Sequence, residues 1–95
     1  MQAFVYTLAS GRNGTLYIGV TSDLPARIYQ HREGLVPGFI SRHGITKLVH
    51  CEILNAMIAA IQREKTLKKL PRQRKLELIE KHNPNWQDLY ETINC

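Results

Sequence analysis

The sequence predicts an α+β fold, a small three-stranded antiparallel sheet flanked by helices in the order β-β-α-β-α-α. Three observations predict it. Two short runs rich in β-formers, Ala3 to Leu8 and Thr15 to Val20, stand on either side of Gly11-Arg12-Asn13-Gly14, which is hairpin chemistry. Thr21-Ser22-Asp23 then offers N-cap residues ahead of Pro25, which suits the first turn of a helix. A third β-rich run precedes two helical stretches separated by Pro71.

The elements follow in order. The first two strands carry Phe4, Val5 and Tyr6, then Leu16, Tyr17 and Ile18. The first helix should run from Leu24 to Arg32 and stop at Gly34. Leu35 to Gly44 holds three Gly/Pro breakers and reads as a loop. Thr46 to Leu54 is the third strand, Ala56 to Leu70 the second helix and Arg72 to Lys81 the third. Pro84 is expected to open a last short helix bearing Trp86, Leu89 and Tyr90.

A chain of 95 residues, 43% hydrophobic and 22% charged, suits one folded domain over residues 1–95. No apolar run approaches the roughly 18 residues of a spanning helix, and MQAFVYTLAS lacks the pattern of a signal peptide. The expected setting is therefore cytoplasmic, without a membrane. Cys51 and Cys95 have neither metal-ligand spacing nor the pattern of a disulfide framework. Cys51 should pack as a small hydrophobe, and Cys95 should be exposed.

Charge is concentrated. Arg63, Lys65, Lys68, Lys69, Arg72, Arg74 and Lys75 stand against one acid, Glu64, which makes this stretch +6 in a chain of net +5. A local excess of this kind is what a polyanion binder presents, and a solvated helical face would look the same.

Four features could carry chemistry, each with a plainer alternative. On the second helix, Met57, Ala60, Ile61 and Leu67 form a stripe with Glu64 in its middle. A carboxylate there needs a partner, either Lys68 at i+4 or a cation such as Mg²⁺. On the first helix Arg27 and His31 share one side. A guanidinium suits phosphate and an imidazole can move protons, although a solvated Arg and a half-buried His are the commoner outcome. Tyr6 and Tyr17 could bring two hydroxyls to one end of the sheet or could simply pack. Gly19 would let a backbone or a phosphate approach.

In that order, a tyrosine strand, Y-I-G, R-x-x-x-H and a later helical glutamate resemble the GIY-YIG nuclease superfamily. The likeness is carried by TLYIGVTSDLPARIYQHREG, GFISRHGITKLVHCEI, AIQREKTLKKL and ELIEKHNPNWQDLY. These stretches look most like the small stand-alone bacterial members, related to the nuclease domain of excinuclease C. The resemblance implies that Tyr6, Tyr17, Arg27, His31 and Glu64 are catalytic, with Glu64 the ligand of Mg²⁺ or Mn²⁺. Asn83, or its neighbour Asn85, stands where a late family asparagine falls. Phe4 and Val5 depart from the first motif, where the family has glycine and isoleucine.

The expected function is metal-dependent hydrolysis of nucleic-acid phosphodiester bonds, most naturally DNA in repair or recombination. Tyr6 or His31 would be the general base, and the basic stretch would hold flanking phosphates. A protein partner would supply any sequence specificity. The alternatives are a binding module of the same fold without catalysis, and a protein-interaction domain using Trp86 and Tyr90 as anchors.

Overall fold

The β1 strand (Ala3–Ala9) and β2 (Leu16–Thr21) form an antiparallel hairpin in which Tyr6 faces Gly19 and Leu8 faces Tyr17. The computed structural model describes residues 2–35 and 44–92. The turn closes with Asn13 at φ 59°, a left-handed conformation that asparagine tolerates. β3 (Lys47–Leu54) pairs antiparallel with the other side of β1, so the order is β2-β1-β3 and both β2 and β3 are edges. The β1–β3 register slips between Thr7 and Leu8, a bulge that leaves Val49 as the extra residue.

Strand side chains alternate between the two faces of the sheet. On one face, Tyr6 and Leu8 pack with Leu48 and with Leu24 and Ile28 of α1 (Leu24–Arg32). The Asp23 side chain caps α1 by accepting from the Ala26 amide at 3.2 Å, and Pro25 occupies the first turn. On the other face, Ala3, Val5 and Ile18 meet Ala60 and Leu67 of α2 (Met57–Lys69). Leu70 and Pro71 are extended and separate α2 from α3 (Arg72–His82), whose Ile79 packs with Ala9, Val49 and Trp86.

The predicted architecture and element order hold, with strand ends moved by a residue. Three details differ. Among the described residues no helix follows Pro84: residues 83–92 are turns and irregular chain, and Trp86 sits at φ 52°, which a right-handed helix cannot include. The Asn83 side chain shapes that segment, accepting from the Gln87 amide at 3.0 Å and donating to the Val49 and Gln87 carbonyls. Second, Ile61 does not join the core stripe; it is 37% exposed, because Ala60 is the residue α2 turns onto the sheet. Third, Cys51 packs in the core as expected, but its sulfur is disulfide-bonded rather than a thiol. Cys95 and most of the predicted loop lie outside the described residues. Among the described residues, no helix is long and apolar enough to cross a membrane.

Candidate active site

Tyr6 is the hub. Its position on the central strand turns the ring over β2, directly above Gly19, its register partner. A Cβ on Gly19 would lie 2.4 Å from the Tyr6 hydroxyl oxygen and 2.5 Å from Cζ, so only glycine leaves room for the phenol. The second motif's glycine therefore makes space for the tyrosine, not for a backbone or phosphate as its small size alone had suggested.

The α1 helix brings His31 to the same point. The imidazole is fully buried, and its Nε2 lies 2.9 Å from the Tyr6 hydroxyl. Tyr17, half-buried on β2, completes the group, with its ring centroid 6.3 Å from Tyr6 and 5.2 Å from His31. Arg27, one turn before His31 on α1, is close enough to hydrogen-bond the phenol and to act on it by charge. Glu64 approaches from α2, and its charge also reaches the Tyr6 ring. The geometry thus groups Tyr6, Tyr17 and His31, while Arg27 and Glu64 act electrostatically on the same phenol.

Electrostatics set the protonation states. Burial, then Tyr17, pushes the Tyr6 phenol from its ordinary 10.0 up to about 12; Arg27 opposes this and Glu64 adds slightly to it. Burial, then the positive charge of Arg27, lowers His31 from 6.5 to about 4. Near neutral pH the phenol is therefore protonated and the imidazole neutral, so the Tyr6 O–H can donate to His31 Nε2. The remaining lone pair on the phenol oxygen can accept from a further donor.

Could Glu64 hold a cation? Its side chain is 16% exposed, and its ion-pair partner Lys68 is an i,i+4 neighbour at 3.6 Å, beyond hydrogen-bond length. Among the described residues there is no group of three or more His, Cys, Asp or Glu that could enclose a metal. One partly exposed carboxylate fits Mg²⁺, which commonly takes one or two protein carboxylates and keeps several waters.

The basic stretch divides. Lys68 and Lys75 line a hollow of about 220 Å³ together with Tyr17, on the side of the cluster. Lys65 and Lys69 are exposed. Arg63 and Arg74 line a different hollow with Lys81. Arg63 is also committed to Glu52, with Nε to Oε1 at 2.7 Å and an NH2 contact to Oε2 at 3.1 Å. Arg72 donates to the Asn13 and Gly14 carbonyls at 2.6 and 2.7 Å, pinning α3 to the hairpin turn. Asn83 is likewise engaged, its amide satisfied by main-chain groups as described above, which makes it a clamp on the C-terminal turns.

One cluster escaped the sequence reading. His50 Nε2 lies 2.9 Å from Glu52 Oε2, and with Arg63 it draws the Glu52 carboxyl from 4.5 down to about 2, against the effect of burial. The signal was present: His50-Cys51-Glu52 places a base and an acid on one face of a strand.

Comparison with known proteins decides the family. The GIY-YIG catalytic domain model matches residues 2–77. The chain belongs to the GIY-YIG family. This family is one of nucleases, which makes nucleic acid the expected substrate class. Among similar proteins, a UPF0213 protein of Syntrophus aciditrophicus is 34% identical, the match covering 85% of this chain and 92% of that one. A UPF0213 protein of Clostridium perfringens is 33% identical over 96% of this chain and 97% of its own. The solution NMR structure of a UPF0213 protein from Bacillus halodurans aligns over the whole of both chains with a TM-score of 0.58. At 24% identity this likeness speaks to the fold alone. These relatives' names state no activity, so the chemistry has to be argued from the residues.

Proposed function

We propose that the protein is a metal-dependent endonuclease that hydrolyses phosphodiester bonds in DNA, in a repair or recombination setting in the cytoplasm. The observation that carries this reading is the buried Tyr6–His31 hydrogen bond, with Arg27 and Glu64 acting on the same phenol.

Hydrolysis needs a deprotonated water, charge stabilisation on the phosphate and help for the leaving oxygen. With the phenol held near 12 and the imidazole near 4, neither group alone is a strong base at neutral pH. Acting in series they can share the task. Water donates its proton to the Tyr6 oxygen while the phenol proton passes to His31 Nε2. The resulting hydroxide attacks phosphorus and the bond to the leaving 3′ oxygen breaks. Arg27 both lowers the Tyr6 pKa and offers a forked donor to the nonbridging oxygens. Tyr17 orients the water or the phosphate from the rim. Glu64 would hold Mg²⁺ or Mn²⁺, which when bound supplies Lewis-acid stabilisation of the phosphate and the leaving oxygen.

Lys65, Lys69 and Lys75 would hold flanking phosphates without reading bases. A protein partner would supply sequence specificity. Trp86 cannot serve as an exposed anchor for such a partner, because it is fully buried with Nε1 bound to Glu80 at 2.9 Å.

The test is a metal-dependent cleavage panel of branched, single-stranded and duplex DNA, with an RNA control, comparing the natural protein with Glu64→Ala. Cleavage of at least one substrate should be lost in the variant while binding persists. Binding without cleavage by both proteins would point instead to a non-catalytic module. Full nicking by the variant in magnesium would reject Glu64 as the metal ligand.

A further inference from the structure

The pair between Glu64 and Lys68 is a loose i,i+4 contact beside the candidate site. Lys68 Nζ stands 3.6 Å from Glu64 Oε2, the lysine side chain 53% exposed and the carboxylate 16% exposed. A structural pair in this molecule looks different: Arg63 grips Glu52 with two nitrogens at 2.7 and 3.1 Å. Lys68 also lines the hollow that holds Tyr17 and Lys75, so its ammonium has two destinations within reach of one flexible stem.

We infer that Lys68 is a displaceable counter-cation: it neutralises Glu64 in the absence of a divalent ion and turns into the Tyr17–Lys75 hollow, toward a substrate phosphate, once that ion takes the carboxylate. The inference rests on the reading of Glu64 as a metal ligand. Physically it answers a burial problem. A carboxylate only 16% exposed, whose charge bears on a buried phenol, is costly without a positive neighbour. A monodentate, half-exposed ammonium meets that need weakly and can leave. Lys69, next in sequence and also exposed, has no such contact among the described residues and serves as the control.

Two binding measurements test the exchange without reference to turnover. In the first, Mn²⁺ affinity is read by calorimetry for the natural protein, Lys68→Met, Lys69→Met and Glu64→Gln. Lys68→Met should tighten Mn²⁺ binding about fivefold, the size of one half-exposed ion pair, while Lys69→Met should change it much less. Equal effects of the two, or weaker binding in Lys68→Met, would overturn the exchange. Glu64→Gln should lose the site. Unchanged Mn²⁺ binding in that variant would instead refute the metal reading on which the inference stands, so the two failures are told apart.

In the second, the affinity of a short oligonucleotide is compared in EDTA and in Ca²⁺. Lys68→Met should weaken binding several-fold more in Ca²⁺ than in EDTA, where only the loss of one nearby charge is felt. An equal loss in both would show that Lys68 meets phosphate regardless of Glu64, and the proposal would fail.

Discussion

The two edges of this sheet carry the same chemical types and treat them in opposite ways. At the β3 edge a carboxylate, an imidazole and a guanidinium (Glu52, His50, Arg63) bond to one another, and the acid is drawn down to about 2. Beside β2, His31 bonds the Tyr6 hydroxyl, and the charges of Arg27 and Glu64 bear on that phenol instead. Among the described residues no ion pair joins Glu64 to Arg27. In the first set each charge is consumed by its neighbour, so the outcome is stability. In the second the two formal charges, Arg27 and Glu64, come from separate helices and bear on one phenol rather than on each other. Charges spent on one another make structure, whereas charges that bear on a shared hydroxyl set its chemistry.

The comparison can be broken most severely at Tyr6. Tyr6→Phe keeps the ring above Gly19 and removes the hydroxyl through which the groups act. Single-turnover cleavage should fall by about 10²- to 10⁴-fold with little change in DNA affinity. A loss confined to affinity would mean that the phenol only binds.

The next effect is structural. Gly19→Ala sets a methyl against the Tyr6 ring, backed by buried His31, and the ring has nowhere to retreat. Thermal or denaturant unfolding should show a loss of about 1–3 kcal/mol, with reduced cleavage because the hydroxyl is displaced. A variant as stable and active as the natural protein would show that the ring shifts freely.

The smallest effect is in pH dependence, and it sharpens the contrast between the edges. His31 titrates near 4 when folded and near 6.5 when unfolded, so between those values the unfolded chain binds the extra proton. Stability should fall as pH drops from 6.5 toward 4, and His31→Gln should flatten that limb. Glu52 acts lower: its stabilisation is present above 4.5 and is lost as pH falls toward 2. Denaturant midpoints measured across pH 3 to 8 separate the two windows. An unchanged limb in His31→Gln would contradict the neutral, buried imidazole.

Much of this was legible in the sequence, for local reasons. The hairpin, the Asp23 cap and the Pro71 break are each specified within a few residues, so their chemistry announces them. The candidate-site set was legible only as an ordered pattern, since Tyr6, His31 and Glu64 are far apart in the chain and are brought to the β2 side of the sheet only by the fold. What escaped reading depends on position in space. Whether Arg63 faces solvent or Glu52 turns on how α2 lies across β3, and charge counting cannot show it. The segment after Pro84 had helix-compatible residues, but the left-handed Trp86 and the Asn83 clamp are set by burial against Val49 and Ile79.

The central claim is that the carboxylate beside β2 does chemistry and the one at the β3 edge does not. It is tested most directly by measuring single-turnover DNA cleavage and unfolding free energy for Glu64→Gln and Glu52→Gln together. Glu64→Gln should lose cleavage and keep its stability, whereas Glu52→Gln should keep cleavage and lose about 1–3 kcal/mol. The reverse pattern, with cleavage surviving in Glu64→Gln and vanishing in a stable Glu52→Gln, would place the chemistry at the other edge and contradict the account.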